Sequence, residues 1–272
     1  MSKAKKAITE LKKFEPCRIC INKNSPKDLP GFYYIGEGLN RQIKECTCHK
    51  KWIRDTLVKV KVREAKLESD PEDSELMTYD PLKHYVGTES LVSVKKLTFI
   101  KDNFKNLFIH TPIYIVGEYR TQKTHLAKWL GISLIKKGYS AYYINMQDIV
   151  KALDLRFSEE KTAQNEEFIE KLLSVDFLII DESFYKIKVR MYVSGIQFPA
   201  LDSFLRERID QRRKSTCFVS NIAPDGIEKE GFSDSIQDYV ARKIRENNTE
   251  LIFKDNYDKV KNKFATFDVV NK

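Results

Sequence analysis

Ile113-Tyr-Ile-Val-Gly-Glu-Tyr-Arg-Thr-Gln-Lys-Thr124 decides how the rest of this chain is read. Four apolar residues, a glycine, a short polar loop and a Lys-Thr pair opening an amphipathic run predict strand, loop and helix in direct succession. In a loop of the form G-x-x-x-x-G-K-[ST], backbone N–H groups cradle phosphate oxygens, the lysine reaches the β and γ phosphates and the hydroxyl holds Mg²⁺. Gly117, Lys123 and Thr124 fill three of the four defining positions, and Gln122 stands where the pattern has glycine. Arg120, Thr121 and Gln122 complete the nucleotide-binding loop. Arg120 and Gln122 bring side chains to a place where backbone ordinarily approaches the phosphates, so binding is expected ahead of turnover.

Downstream, Phe177-Leu-Ile-Ile-Asp181-Glu182 is an apolar strand ending in two carboxylates. A buried parallel strand reads as a continuous apolar run, and ligands sit beyond its carboxyl end. Asp181 at that end can hold Mg²⁺ through water, and Glu182 can polarise an attacking water. Ser215-Thr-Cys-Phe-Val-Ser220-Asn221 is a further strand ending in small polar residues, with Asn221 either facing a γ-phosphate or serving as a turn residue. Between these strands, helical faces recur: Leu126, Ala127, Leu130 and Leu134 before the helix-ending Gly138, then Met146 to Leu153, then Phe168 to Leu173. Strands alternating with helices of this length predict an α/β core with a parallel sheet flanked by helices.

Upstream, Cys17-Arg-Ile-Cys20 and Cys46-Thr-Cys48-His49 offer four thiolates, with His49 as the alternative fourth ligand. Tetrahedral Zn²⁺ takes four soft ligands from two short loops, which this spacing supplies. A metal would provide folding energy that so small a segment lacks. Cys217, inside an apolar strand, reads as a small core residue. A basic amphipathic helix is predicted over residues 3–14. Another follows Lys50, with Trp52, Ile53, Leu57 and Val60 on one side. Its cationic remainder is either a nucleic-acid contact or an ordinary solvated face. The acidic run 68–75 has the composition of a linker. The expected organisation is therefore a zinc-binding module at 1–67, a linker at 68–85 and a nucleotide-binding domain at 86–272.

The chain carries 48 Lys and Arg against 39 Asp and Glu, a formal charge of +9, which favours a polyanionic partner without naming one. No apolar run is long enough to span a bilayer, and the basic N-terminus lacks the apolar region of a signal peptide. A cytoplasmic protein with no membrane partner is expected, with cysteines serving as metal ligands or thiols.

The strand-GEYRTQKT-helix, FLIIDE, the strand ending VSN and the helix VARKIREN followed by LIF together resemble the DnaC/DnaI-type replicative helicase loaders, AAA+ ATPases. The resemblance implies an AAA+ P-loop core that binds ATP and single-stranded DNA, and an N-terminal module that binds the hexameric helicase. It implies Lys123 and Thr124 as the Walker A pair and Asp181 and Glu182 as the Walker B pair. Asn221 becomes sensor 1, and Arg242 or Arg245 an arginine finger or sensor 2-like residue. Self-association through the AAA+ domain follows from the same likeness. The segment from Ser183 to Pro199 interleaves Lys186, Lys188 and Arg190 with Phe184, Tyr185, Tyr192 and Phe198, a composition suited to a single strand. Two other functions share these features. One is a transposition-type AAA+ regulator acting on duplex DNA with a transposase. The other is a zinc-containing scaffold with an inactive nucleotide site.

Overall fold

The computed structural model describes residues 15, 17, 18, 31–36, 41–68, 76–157, 162–185 and 197–255. The predicted helix over 3–14, Cys20, most of the acidic run (69–75), and Lys186, Lys188, Arg190 and Tyr192 lie outside these residues. The chain divides into two units, Met1–Glu64 and Ala65–Lys272.

In the first unit, β1 (Phe32–Ile35) pairs antiparallel with β2 (Gln42–Glu45), Phe32 lying opposite Glu45. The Arg41 guanidinium sits over the Tyr34 ring at 3.8 Å. Helix α1 (Thr47–Glu64) follows at once. Its expected apolar side is not sequestered: Ile53 is 36% and Leu57 50% exposed. Heavy lysine and arginine content on this helix leaves it without a continuous buried stripe.

In the second unit, α2 (Pro81–His84) is capped by Asp80, whose side chain accepts the Leu82 N–H at 3.2 Å. Helix α3 (Leu91–Asn103) runs into a π turn at Phe104–Phe108. Leu97, Ile100 and Phe104 are buried as their spacing predicts, but Leu107 is 56% exposed. The wider i→i+5 turn rotates it off the apolar face.

Next come β3 (Ile113–Gly117), α4 (Lys123–Lys136), β4 (Ala141–Asn145), α5 (Met146–Phe157), α6 (Ala163–Ser174) and β5 (Phe177–Asp181). After them, α7 (Gln197–Arg206), β6 (Ser215–Ser220), α8 (Asp234–Asn247) and β7 (Glu250–Phe253) complete the unit. The five strands form one sheet in the order β4-β5-β6-β3-β7, parallel at every pairing. Gly138, predicted to end α4, has φ +97° just beyond it.

Side chains alternate across this sheet with period two. Tyr114, Val116, Tyr142, Ile144, Leu178, Ile180 and Phe218 face one core, shared with α5, α6, α7 and α8. The residues between them face the other way, where Phe177 meets Phe104 edge to face. Phe184, expected among loop aromatics available to a single strand, belongs instead to the first core. It is fully buried and packs against Tyr114, Phe218 and Phe232. A left-handed φ of +60° at Phe184 turns the side chain inward as the strand ends.

Among the described residues, the largest fully buried side chain is charged. Arg208 lies in a π turn (Glu207–Gln211) after α7. Its Nη1 donates to the Leu172 and Leu173 carbonyls at 2.6 and 3.1 Å, and Nη2 to those of Val175 and Ser215 at 2.9 and 2.7 Å. Nε donates to Thr216 Oγ1 at 3.0 Å. One fork thus satisfies the orphan carbonyls at the end of α6 and fixes them to the start of β6. Replacing Arg208 by Met strands several buried acceptors, each worth about 1–3 kcal/mol. We expect Arg208→Met to lower folding stability by about 3 kcal/mol or more in urea denaturation. Arg208→Lys should recover little, because an ammonium lacks the planar fork.

Candidate functional site

Parallel pairing sets which residues meet. Val116 lies opposite Ser220, and Asn145 opposite Asp181, so the carboxyl ends of β3, β5 and β6 finish together along one edge. A cleft opens there. It is lined by Tyr119 to Thr124 from the loop after β3, Asp181 and Glu182 after β5, and Val219, Ser220 and Asn221 after β6. Every sequence-predicted nucleotide residue from Arg120 to Thr124, with Asp181, Glu182 and Asn221, therefore borders one space.

Gly117 is required for a reason the loop pattern does not contain. A Cβ there would lie 2.1 Å from the backbone oxygen of Phe253 on β7, which pairs with Gly117. No side chain fits that gap. Gln122 precedes α4 in the left-handed region, φ +57°, where a glycine would sit without strain. Arg120 is left-handed as well, φ +65°. The loop keeps the turn that its pattern demands while carrying residues that adopt it at a cost of about 1 kcal/mol each.

Lys123 is 7% exposed. Its Nζ donates to the Glu118 carbonyl at 2.6 Å and to Thr121 Oγ1 at 3.2 Å, and Thr121 Oγ1 in turn donates to the Glu118 carbonyl at 2.9 Å. Burial pushes the ammonium down to about 8, against the opposing pull of Asp181 and Glu118. Thr124 Oγ1 donates to Asp181 Oδ2 at 2.8 Å. A hydroxyl and a carboxylate at this separation are hard oxygen donors and fit Mg²⁺. Glu182, at φ +49°, is exposed beside them, and its N–H donates to Asp181 Oδ1 at 2.8 Å. Tyr119, which lines the cleft, meets Tyr185 edge to face at 6.2 Å.

Arg242 and Arg245 do not border this cleft. They line a separate groove with Arg206, Ser235, Asp238 and Tyr239, and Arg245 bonds Asp225 at 2.7 Å.

In the first unit, the Sγ atoms of Cys17, Cys46 and Cys48 all lie within 4.8 Å of one another, with Cys17 and Cys46 at 3.7 Å. Three thiols, with Cys17 brought back 29 residues to Cys46, form a donor set that a soft cation takes. Cys20 is outside the described residues. His49 is not in the cluster: its Nδ1 meets Glu45 Oε1 at 2.8 Å, and its ring stacks on Trp52. Only two apolar side chains among the described residues of this unit are buried, Cys46 and Val62. Cys217 is fully buried in β6, as predicted.

The lysine generates a prediction. A polyphosphate beside Lys123 favours the ammonium and raises its pKa from about 8. Between pH 8 and the higher value of the complex, the free protein holds a neutral amine and the complex a charged one. Nucleotide binding at pH 8.5 should therefore take up a proton and weaken as pH rises further. Calorimetry in buffers of different ionisation enthalpy measures that uptake, and Lys123→Arg should abolish it.

Comparison with known proteins adds family and fold. The family described as "IstB-like ATP binding protein" matches residues 49–189, just over half of the chain. The chromosomal replication initiator protein DnaA of Aquifex aeolicus (strain VF5) is 28% identical over 127 residues, 46% of this chain and 30% of that protein. The chain thus spans under a third of that relative's length. The crystal structure of the DnaC helicase loader has a TM-score of 0.51 at 23% identity, covering 66% of this chain and 96% of that one. AMPPCP-bound DnaA from Aquifex aeolicus gives 0.52 at 20% identity, covering 71% and 55%. Both share the α/β AAA+ P-loop architecture described above. Among the described residues, no helix is long and apolar enough to cross a membrane. With the family match running from α1 past the Asp181-Glu182 pair, this chain belongs to the IstB-like ATP-binding proteins.

Proposed function

We propose that this protein is an ATP-responsive helicase loader. Residues 1–67 bind a hexameric replicative helicase, and the AAA+ domain binds ATP with Mg²⁺ and holds single-stranded DNA. The observation that carries the nucleotide part is the meeting of Lys123, Thr124, Asp181, Glu182 and Asn221 around one cleft. Lys123 neutralises phosphate charge, and Thr124 with Asp181 holds Mg²⁺. Glu182 orients the attacking water, and Asn221 contacts the γ-phosphate. Bound Mg²⁺ supplies charge neutralisation on the phosphates. Arg242 or Arg245 acts on the nucleotide of an adjacent copy, a reading supported by their lining a groove other than the cleft. ATP then works as a switch, favouring the conformation that binds it more tightly.

The likeness of fold to the DnaC loader supports the helicase assignment. The family match supports a second reading, a transposition-type regulator on duplex DNA. In calorimetry with ATP and Mg²⁺, we expect wild-type protein to bind and Lys123→Ala to bind at least about tenfold more weakly, roughly 1.4 kcal/mol. Absence of wild-type binding would leave only the scaffold. Retention of a replicative helicase on immobilised full-length protein supports the loader. ATP-dependent filaments on duplex DNA in electron micrographs support the regulator.

For the first unit we propose one Zn²⁺ held by Cys17, Cys20, Cys46 and Cys48. Elemental analysis of purified protein should find about one zinc per chain. Cys46→Ser should release it and unfold the unit, because so little apolar surface is buried there.

A further inference from the structure

Tyr143 lies in β4, a strand that supplies nothing to the phosphate loop or to the Asp-Glu pair. Its hydroxyl nevertheless donates to Asp181 Oδ2 at 2.7 Å, the same oxygen that accepts Thr124 Oγ1 at 2.8 Å. The other oxygen, Oδ1, accepts the Glu182 N–H at 2.8 Å. Three donors converge on a carboxylate that is 7% exposed. Thr124 and Glu182 border the cleft and have nucleotide chemistry assigned to them. Tyr143 does not border it, and its hydroxyl reaches that carboxylate from the adjacent strand.

Its own position is well determined. Pairing of β4 with β5 sets Tyr143 opposite Ile179, so Asp181 lies two residues on along the same face of the sheet. Tyr143 N–H donates to the Ala65 carbonyl at 2.9 Å, fixing the outer edge of β4. Above the ring, Lys128 Nζ from α4 lies 4.9 Å from the centroid. Asn145 Oδ1, at 3.4 Å, is a distant second acceptor, so the short bond to Asp181 takes the hydroxyl proton.

We propose that Tyr143 is a positioning residue for the divalent cation. It fixes rotation of the Asp181 carboxylate and so presents that group, together with the Thr124 hydroxyl, to Mg²⁺. This rests on the nucleotide reading of the cleft. Outer-shell donors of this kind are worth about 10–100-fold in metal affinity.

Tyr143→Phe keeps the ring beneath Lys128 and deletes only the hydroxyl. The measurement is a Mg²⁺ titration of protein carrying a fluorescent ATP analogue, repeated with Mn²⁺ and read by electron paramagnetic resonance. We expect variant and wild type to bind the analogue equally without metal. The Mg²⁺ midpoint of the variant should rise about tenfold or more. Equal midpoints overturn the role of Tyr143 and leave the nucleotide reading standing, whereas wild-type protein that binds no analogue overturns both. Parallel loss of metal-free affinity and melting temperature would mark a merely structural residue and also overturns the proposal. A double-mutant cycle with Asp181→Asn supplies a second criterion. If Tyr143 acts through Asp181, deleting its hydroxyl changes nothing once Asp181 is asparagine; additive effects contradict it.

Discussion

Five parallel strands all end along the same edge, and the polar groups of the cleft are arranged around that constraint. Thr124 and Asp181 are 57 residues apart in the chain and 2.8 Å apart in space because β3 and β5 flank β6 in register. Polar groups brought to a mostly apolar edge are costly unless each finds a partner. Here they find one another: Thr124 and Tyr143 with Asp181, Thr121 and Lys123 with Glu118, and Ser220 with Ser183. The site is stable as a network rather than as separate contacts.

Arg208 plays the corresponding part within the layers. Arg208 is fully buried between the end of helix α6 and the start of strand β6, where carbonyls without helical partners need a donor. A guanidinium supplies five N–H groups in a plane and closes the account with a single side chain. The planar fork, complete only in the protonated group, is what matches these acceptors.

Much of the lining of the cleft was legible because it is local and periodic. Lys123 and Thr124 open a helix directly after an apolar strand, and Asp181-Glu182 closes another such strand. Asn221 follows in the order that a parallel sheet requires. Residues whose meaning depends on distant partners were not legible. Arg208 has the same spacing as solvated arginines on neighbouring turns, and only the orphan carbonyls of α6 distinguish it. Phe184 sits in a run of cationic and aromatic residues, yet a turn with Glu182 and Phe184 itself left-handed carries it into the core. Tyr143 reads as one more β-forming aromatic, since its acceptor lies on the adjacent strand. The requirement for Gly117 comes from Phe253, at the far end of the domain's sequence. The cysteines fall between these cases. Their spacing announces a metal, while the convergence of Cys17 on Cys46 and Cys48 is a tertiary fact.

The resting contacts of Lys123 have a consequence for how the loop behaves. Its ammonium already holds a backbone carbonyl and a hydroxyl, both supplied from within six residues. Under the proposed nucleotide reading, the loop itself is a tethered competitor for the phosphate at Lys123. On that reading a phosphate gains only the difference between two sets of bonds, and the loop lowers the affinity of the cleft while keeping its lysine satisfied when the cleft is empty.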